Sequence, residues 1–261
     1  MDSIHPIVPV VQEAAALALR YFRRADLRGE HKPDGSLVTE ADKAIDGLLV
    51  PALEALCPSA AIVSEERKPI RSQGQRYTIL VDPIDGTSAY ASGVPGFCIS
   101  VGVLDHGKPV AGIVSAPAWG MTWMCDVDPE SPLLCDGEPV KRQTTAATFD
   151  RRTTALVDSK LHRNWSVDAF PGRCRSFGST ALHLSLLAGS ASFAIAHTGR
   201  VHAWDLAGAH ALLERAGLLV RTVQGAPIDY ESFLPDGVVQ ADVLAGHPEH
   251  IEAFRACLSE R

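Results

Sequence analysis

Asp82-Pro83-Ile84-Asp85-Gly86-Thr87 is the stretch from which the rest of this chain can be interpreted. It directly follows an apolar run, residues 77–81 (YTILV), which has the composition of a buried strand. Two carboxylates three residues apart therefore fall on a turn at the end of that strand, with the carbonyl of Ile84 between them. The amides of Gly86 and Thr87 begin the next segment. Such a turn predicts oxygen ligands for a hard cation and N–H donors for a phosphate.

The composition is that of a globular protein with room for one large domain or two small ones. The chain has 261 residues, of which 46% are hydrophobic and 21% charged. Its net charge is −7 and no basic run exceeds two residues, which argues against a nucleic-acid surface but not against a small phosphorylated ligand. Six scattered cysteines without a CxxC pair favour reduced thiols. Without an export signal or a long apolar stretch, we expect a cytoplasmic protein with no membrane span.

Helical and strand-like patterns alternate along the chain, which predicts a mixed α+β and α/β fold. The periodicity predicts helices over 10–24, from Thr39 onward with a kink or restart at Pro51, and over 181–188, 206–216 and 250–258. It predicts strands over 60–64, 77–81, on both sides of a hairpin turn at 105–107, and over 121–125, 153–159, 192–197, 218–223 and 239–245. Residues 126–150 lack periodicity, so we place a boundary near 142, between an N-terminal half (1–142) and a C-terminal half (143–261).

Acidic residues stand at the ends of four of these predicted elements, and each has a simple structural explanation when taken alone. Asp42 follows Thr39 by three residues, the spacing of a helix capping box. Glu65 and Glu66 could be a solvated strand end, and aspartates such as Asp82 and Asp85 are frequent turn formers. Asp205 precedes an apolar helical pattern, where it could serve only as the N-cap.

Taken together, the acidic residues predict a metal site. Glu65 and Asp82 each end an apolar strand, so both can project from the same sheet edge. Unpaired buried carboxylates cost several kcal/mol each, and no Lys or Arg lies among these residues, so divalent cations are the natural partners. A calcium-binding EF-hand is excluded, because it needs Gly and Glu at loop positions that, counted from Asp82, hold Thr87 and Gly93.

Four motifs in this order resemble the inositol monophosphatase superfamily of magnesium-dependent, lithium-sensitive phosphatases. They are VTEAD (38–42), SEE (64–66), DPIDGT (82–87) and WDLAG (204–208). The resemblance spans residues 10–225. It implies a layered αβαβα sandwich with the site between its two halves, and a phosphomonoesterase that uses metal-activated water in an in-line attack, without a protein nucleophile.

The resemblance also implies a role for each residue of the motifs. Two Mg²⁺ ions are expected, the first held by Glu65, Asp82 and the carbonyl of Ile84, the second by Asp82, Asp85 and Asp205. Asp42 and Thr87 are expected to orient the attacking water, so that Thr87, Asp42 and Glu65 form the catalytic set. Glu66 is a candidate for a third, weaker metal. The substrate side is expected to comprise Gly86, Thr87, Gly178, Ser179 and Thr180, with His202 as a further candidate that could equally be a surface or packing histidine.

The substrate itself stays open between two branches of the superfamily. Enzymes that act on inositol phosphates usually carry an acidic residue seven positions before the metal-binding Asp, where this chain has Thr198, preceded by His197. Enzymes that act on adenosine 3′,5′-bisphosphate usually have Lys-Glu after DGT, where this chain has Ser88-Ala89. We therefore expect a small polyol or sugar phosphate, with a 3′(2′),5′-bisphosphate nucleotidase as the alternative. A regulatory binding protein with an inactive site is disfavoured because every motif position is filled. The family is often dimeric, so a homodimer is a further expectation.

Overall fold

Two β-sheets alternate with three layers of helices. The computed structural model of the chain describes residues 1–24, 26–32, 35–67, 74–141, 148–190, 192–199, 201–234, 237–239 and 241–261. The α-helices within these ranges are α1 (Val8–Tyr21), α2 (Glu40–Leu56), α3 (Thr87–Ala91), α4 (Thr180–Gly189), α5 (Ala203–Arg215), α6 (Tyr230–Phe233) and α7 (Pro248–Cys257). Short 3-10 helices cover His5–Ile7, Pro117–Trp119 and Leu161–Arg163.

The strands divide between two main sheets and three small ribbons. In the described part of the chain they are β1 (Gly29–His31), β2 (Leu37–Thr39), β3 (Ala61–Ser64), β4 (Tyr77–Asp85), β5 (Cys98–Asp105), β6 (Lys108–Ala116), β7 (Met121–Cys125), β8 (Leu134–Cys135), β9 (Glu138–Pro139), β10 (Thr154–Val157), β11 (Trp165–Ser166), β12 (Arg173–Arg175), β13 (Ile195–Thr198), β14 (Val201–His202), β15 (Leu219–Thr222), β16 (Val238–Val239), β17 (Val243–Gly246) and β18 (Ser259–Glu260). β1-β2, β11-β18 and β14-β16 form the ribbons.

The first main sheet has seven strands in the order β3-β4-β5-β6-β7-β8-β9. β3 and β4 run parallel, and the following neighbours are antiparallel. The predicted hairpin between β5 and β6 is confirmed. His106 and Gly107 both have positive φ (47° and 74°), the conformation that matches a two-residue turn to the twist of its strands.

Helices α1 and α2 cover the outer face of this sheet. α1 buries Val11, Ala14 and Ala18, at helical spacing, against apolar residues of β4–β6. It ends at Tyr21 rather than near residue 24, because the backbone at Phe22 is extended. α2 runs through Pro51 without restarting, so that part of the prediction is wrong. Buried side chains on both sides of the proline hold the helix against the sheet.

Helices α4 and α5 form the middle layer, where one apolar core joins residues of both sheets. α5 lies unusually close to the first sheet. A Cβ on Gly112 would stand 2.2 Å from the carbonyl oxygen of Gly208, and one on Gly102 would stand 2.4 Å from the Gly208 nitrogen. The glycine of the WDLAG motif thus lets the two backbones touch, and this contact fixes the position of α5 over β5 and β6.

The second main sheet has the order β12-β10-β13-β17-β15. β12, β10 and β13 are parallel, whereas β17 is antiparallel to both of its neighbours. α7 packs on the outer face through Ile251 and Phe254, which completes the α-β-α-β-α order. The predicted layered fold is confirmed. The predicted boundary near 142 lies outside the described residues, and the division into two halves stays a prediction. Within the described part of the chain, none of the helices combines the length and hydropathy that a transmembrane segment requires.

Candidate active site

The DPIDGT stretch lies at the end of a buried strand rather than on a turn beyond it. β4 continues through Asp85, and every residue from Tyr77 to Asp85 is buried. Its pairing with β5 is irregular between Asp82 and Asp85, which breaks the simple alternation of side chains there. Gly86 then takes a left-handed conformation (φ 91°) that ends the strand and begins the short helix α3. The local bend brings both carboxylates to the same edge.

Asp205 joins these two carboxylates from more than a hundred residues away. One side-chain oxygen from each of Asp82, Asp85 and Asp205 lies within 4.8 Å of the others. Asp205 is not the N-cap that the sequence predicted, because α5 begins two residues earlier, at Ala203. It is the third residue of the helix, and its Oδ2 accepts the amide of His202 at 2.9 Å. The other oxygen is left for the cluster.

Helix α4 holds Asp85 in place. Asp85 Oδ2 accepts the hydroxyl of Ser179 at 2.6 Å and the amide of Ala181 at 2.5 Å. Ser179 is the N-cap of α4, fully buried, and its Oγ also accepts the amide of Leu182 at 3.0 Å. Ser179 was expected on the substrate side. Its hydroxyl is instead committed to Asp85, while the neighbouring Gly178 is exposed and Thr180 half-buried.

Asp42 and Thr87 lie side by side next to this cluster. Asp42 Oδ2 accepts the amide and the hydroxyl of Thr39, at 2.8 and 2.5 Å, which is the capping box of α2. Its Oδ1 lies 3.3 Å from the hydroxyl of Thr87, which is also 3.0 Å from the carbonyl of Ile84. Asp42 is therefore both a helix cap and a partner of Thr87, so the two interpretations offered by the sequence are compatible.

Lys32 contacts the acidic pair that ends β3. Its Nζ lies 2.9 Å from Glu65 Oε1 and 2.7 Å from Glu66 Oε1, and all three side chains are largely buried. The sequence had suggested that no cation accompanies the proposed ligands, and this is wrong for the glutamates. Lys32 comes from the polar loop that precedes β2, a segment without a motif. Among the described residues, no Lys or Arg forms an ion pair with Asp82, Asp85 or Asp205.

The cluster is electrostatically unfavourable without a counter-ion. Burial, followed by repulsion from Glu65, raises the pKa of Asp82 well above its usual range. Burial likewise raises the pKa of Asp85, with repulsion from Asp205 adding to it, and the pKa of Asp205, with repulsion from Glu65 adding to it. Burial raises the pKa of Asp42 to about 6. Lys32 shows the opposite balance: burial disfavours its charge, but Glu65 and Glu66 more than offset this and raise its pKa.

The arrangement fits a hard divalent cation. The atoms that converge are carboxylate oxygens, which are ligands that Mg²⁺ prefers. Asp82 is 1% exposed, and its Oδ1 has no hydrogen-bond partner in the part of the chain that the structure describes. A buried carboxylate oxygen without a partner is rare, and a cation would satisfy it.

A small polar cavity adjoins the N-terminus of α4, at the carboxyl ends of β10 and β13. Its volume is about 20 Å³, enough for a single water molecule. It is lined by Asp158, Ser159, Ser176, Gly178, Ser179, Thr180, His183, His197 and Thr198. His183 accepts the amide of Phe177 at 2.8 Å, and burial lowers its pKa to about 4, so the imidazole is neutral. Among the described residues of the lining, Asp158 is the only acid.

The two histidines noted in the sequence lie in different settings. His202 stacks on Trp204 with ring centroids 4.8 Å apart and is about one-third exposed beside Asp205. His197 is fully buried, and its Nε2 lies 3.4 Å from Asp242 Oδ2. His202 therefore borders the carboxylate cluster, whereas His197 contributes to the packing of the second sheet.

Comparison with known proteins places the chain among phosphatases. The family profile described as Inositol monophosphatase family matches residues 3–259. The chain belongs to the inositol monophosphatase family. The resemblance seen in the four motifs is thus confirmed, and the chain is a phosphatase, a phosphoric monoester hydrolase, as the sequence predicted.

The proteins that are similar to this chain carry several different functional descriptions. It is 32% identical over 217 residues to the 3′(2′),5′-bisphosphate nucleotidase CysQ of Escherichia coli K12, covering 79% of this chain and 85% of that one. The extragenic suppressor protein suhB of Bartonella henselae has the same fold, with a TM-score of 0.82, 20% identity and 97% coverage of both chains. An IMPase/NADP phosphatase complexed with Mg²⁺ and phosphate superimposes with a TM-score of 0.81 at 17% identity, covering 96% and 92%.

Three supporting residues of the site were missed by the sequence analysis. Lys32 neutralises the glutamates, and Asp46 of α2 accepts the hydroxyl of Ser64 at 2.5 Å and pairs with Arg67 at 2.8 Å, which secures the end of β3. Cys98 lies 3.1 Å from the Ser179 hydroxyl. The opposing register of β4 and β5 is the one signal that could have placed Cys98 next to Asp85.

Proposed function

We propose that this protein is a Mg²⁺-dependent phosphomonoesterase that hydrolyses a small polyol or sugar phosphate. The observation that carries the proposal is the convergence of Asp82, Asp85 and Asp205 within 4.8 Å, with a buried Asp82 oxygen that has no hydrogen-bond partner among the described residues. Glu65, Asp82 and the Ile84 carbonyl would hold one ion, and Asp82, Asp85 and Asp205 a second. Bound Mg²⁺ supplies Lewis acidity and lowers the pKa of coordinated water.

The residues beside the cluster have the properties needed to position a water molecule. Asp42 accepts two hydrogen bonds from Thr39 on one oxygen, which leaves the other for the Thr87 hydroxyl. When the Thr87 hydroxyl donates its hydrogen bond to Asp42, its oxygen is free to accept a hydrogen bond from water. The pair would then orient a water toward the phosphorus and hold its proton near Asp42. Gly86 and Thr87 amides at the start of α3 would bind a phosphate oxygen.

The glutamates would share their charge between Lys32 and the cations. Lys32 occupies Oε1 of both Glu65 and Glu66. Glu65 would use its other oxygen as a ligand, and Glu66 would act on a third, weaker ion through water. The lithium sensitivity implied by the resemblance belongs to this part of the proposal, since a small monovalent cation would compete for the same oxygens.

The polar cavity beside α4 supports a hydroxyl-bearing leaving group. Among the described residues, its lining offers hydroxyls, a neutral histidine and the carboxylate of Asp158, but no Lys or Arg. The cavity has room for one water-sized group, so a second phosphate would not fit there and would also meet a like charge, whereas a single hydroxyl of a sugar or polyol would find acceptors and donors. The alternative substrate, adenosine 3′,5′-bisphosphate, is supported by the 32% identity to the E. coli nucleotidase, so it is tested alongside.

A panel of phosphate esters tests the proposal. Purified enzyme would be assayed with inositol monophosphate, a sugar monophosphate and adenosine 3′,5′-bisphosphate, each with Mg²⁺ and with EDTA, beside Asp82→Asn as the inactive control. We expect kcat/KM to be highest for one of the monophosphates and to vanish in EDTA. A preference for the bisphosphate would replace the proposed substrate class, and no turnover of any ester with Mg²⁺ would contradict the proposed activity.

A further inference from the structure

Asp85 uses one carboxylate oxygen for the protein and leaves the other for the cluster. Oδ2 accepts hydrogen bonds from Ser179 at 2.6 Å and Ala181 at 2.5 Å. Oδ2 is the acceptor in both contacts, so the Ser179 hydroxyl is the donor in the 2.6 Å contact. The single hydroxyl proton of Ser179 is therefore used in the hydrogen bond to Asp85.

The hydrogen bonds of Ser179 determine whether the Cys98 thiol acts as a donor or an acceptor. Cys98 Sγ lies 3.1 Å from Ser179 Oγ, a distance at which either atom could donate. Since the hydroxyl proton is already engaged with Asp85, the thiol must donate to the hydroxyl oxygen. Ser179 Oγ then accepts two hydrogen bonds, from the thiol and from the amide of Leu182. Both of its lone pairs are used.

The contact between the thiol and the Ser179 hydroxyl is shielded from solvent. Cys98 and Ser179 are both fully buried, between β5 and the first turn of α4. Cys98 stands opposite Asp85 in the register of β4 and β5, and its sulfur lies 3.9 Å from Asp85 Oδ2. Hydrogen bonds in such a dry chain strengthen one another, so removing the first weakens the others.

We propose that Cys98 is a positioning residue, whose thiol donates to the Ser179 hydroxyl and thereby holds Asp85 with its free oxygen turned toward the cation cluster. The thiol touches neither substrate nor metal. It acts on Asp85 chiefly through Ser179, because its own contact with Asp85 Oδ2 is longer, at 3.9 Å. The hydrogen-bond chain stands on the contacts alone, whereas its effect on cation binding rests on the proposed function.

Two substitutions separate hydrogen bonding from packing. Cys98→Val keeps a side chain of similar volume and removes the donor, whereas Cys98→Ser keeps a donor on a shorter bond. Cys125→Val is the matched control, because Cys125 is also fully buried in the first sheet but has no contact with the cluster. All three variants would first be checked for folding by thermal melting.

The first measurement is the infrared S–H stretching band, which shifts to lower frequency when a thiol donates a hydrogen bond. The Cys98 band, assigned by its loss in Cys98→Val, should move to higher frequency in Ser179→Ala. An unshifted band would overturn the inference, whatever the metal does. Cys98→Val failing to fold would leave this measurement intact, since the band can also be assigned by its loss in Cys98→Ser.

The second measurement is Mg²⁺ binding by calorimetry on EDTA-stripped protein. Cys98→Val should raise the Kd for Mg²⁺ about fivefold, the fold-change that corresponds to about 1 kcal/mol for one hydrogen bond. Cys98→Ser should recover part of the lost Mg²⁺ affinity, and Cys125→Val should bind Mg²⁺ with the wild-type Kd. Equal Kd values in wild type and Cys98→Val would refute the positioning role. If the wild type itself binds no Mg²⁺, the proposed function fails, and the infrared band still decides the hydrogen-bond chain.

Discussion

Replacing Asp205 by Asn should reduce the stabilisation that Mg²⁺ gives to the protein. Asp205 reaches the cluster from α5, so a cation bound there links residues far apart in the chain. A ligand bound only by the native state stabilises it by RT ln(1 + [L]/Kd), about 2.7 kcal/mol at a hundredfold excess over Kd. In a chain of this size, each kcal/mol shifts Tm by about 2–4 °C. The wild-type Tm should therefore rise by roughly 5–10 °C with Mg²⁺.

The metal-free Tm should change little or rise slightly in Asp205→Asn. The amide oxygen of Asn can still accept the His202 amide, so the first turn of α5 keeps its cap. The variant also removes one charge from a buried cluster of like charges, which its raised pKa shows to be unfavourable. With Mg²⁺, we expect the rise to fall to half or less, because the ion held by Asp85 and Asp205 loses a charged ligand.

Thermal melts of wild type and Asp205→Asn in EDTA and in Mg²⁺ measure this difference. Glu249→Gln is the matched control, since Glu249 is an exposed acid in the first turn of α7, away from the site. It should keep the full Mg²⁺ effect. Equal Mg²⁺ shifts in wild type and Asp205→Asn would refute the assignment of Asp205 as a ligand and leave it as a helix residue only.

Four further outcomes test the site. Asp82→Asn should lower kcat at least a hundredfold in a steady-state assay, and a loss under tenfold, about 1.4 kcal/mol of barrier, would contradict its role as a shared ligand. Thr87→Ala should lower kcat with the calorimetric Mg²⁺ affinity within about twofold, whereas a rise in KM alone would argue against water orientation. In EDTA, Tm should fall as pH rises from about 4 to 8. Burial raises the pKa of Asp85 to about 8 and of Asp205 to about 7, so the folded state binds protons more tightly than the unfolded chain. The folded state loses this stabilisation as the protons dissociate. A melting series in which Tm stays level or increases over this range would show the cluster is not strained. Lys32→Met should lower Tm in EDTA and enlarge the Mg²⁺ shift, because its two glutamate partners lose their cation; unchanged melts in both conditions would mean that the ion pairs contribute nothing.

Local sequence patterns were sufficient for the family, the layered fold and the chemical type of the site. Strands β4 to β7 follow from apolar runs and a hairpin signal, and the capping box at Thr39 and Asp42 follows from spacing alone. The motifs place oxygen ligands at ends of elements because contiguous residues determine where a strand or helix ends. Boundaries were less accurate where packing overrides propensity, as at Pro51, which lies inside a helix held by buried neighbours on both sides.

Only the tertiary structure decided how these pieces meet. Asp205 reaches Asp82 because Gly208 lets α5 rest directly on the first sheet, a contact between residues about a hundred positions apart. Lys32 reaches the glutamates from a loop with no motif. Ser179 donates its hydroxyl hydrogen bond to Asp85, across 94 positions of the chain. Such contacts depend on the relative placement of whole layers, which is set by the packing of the entire core. The local sequence around the contacting residues therefore does not predict them.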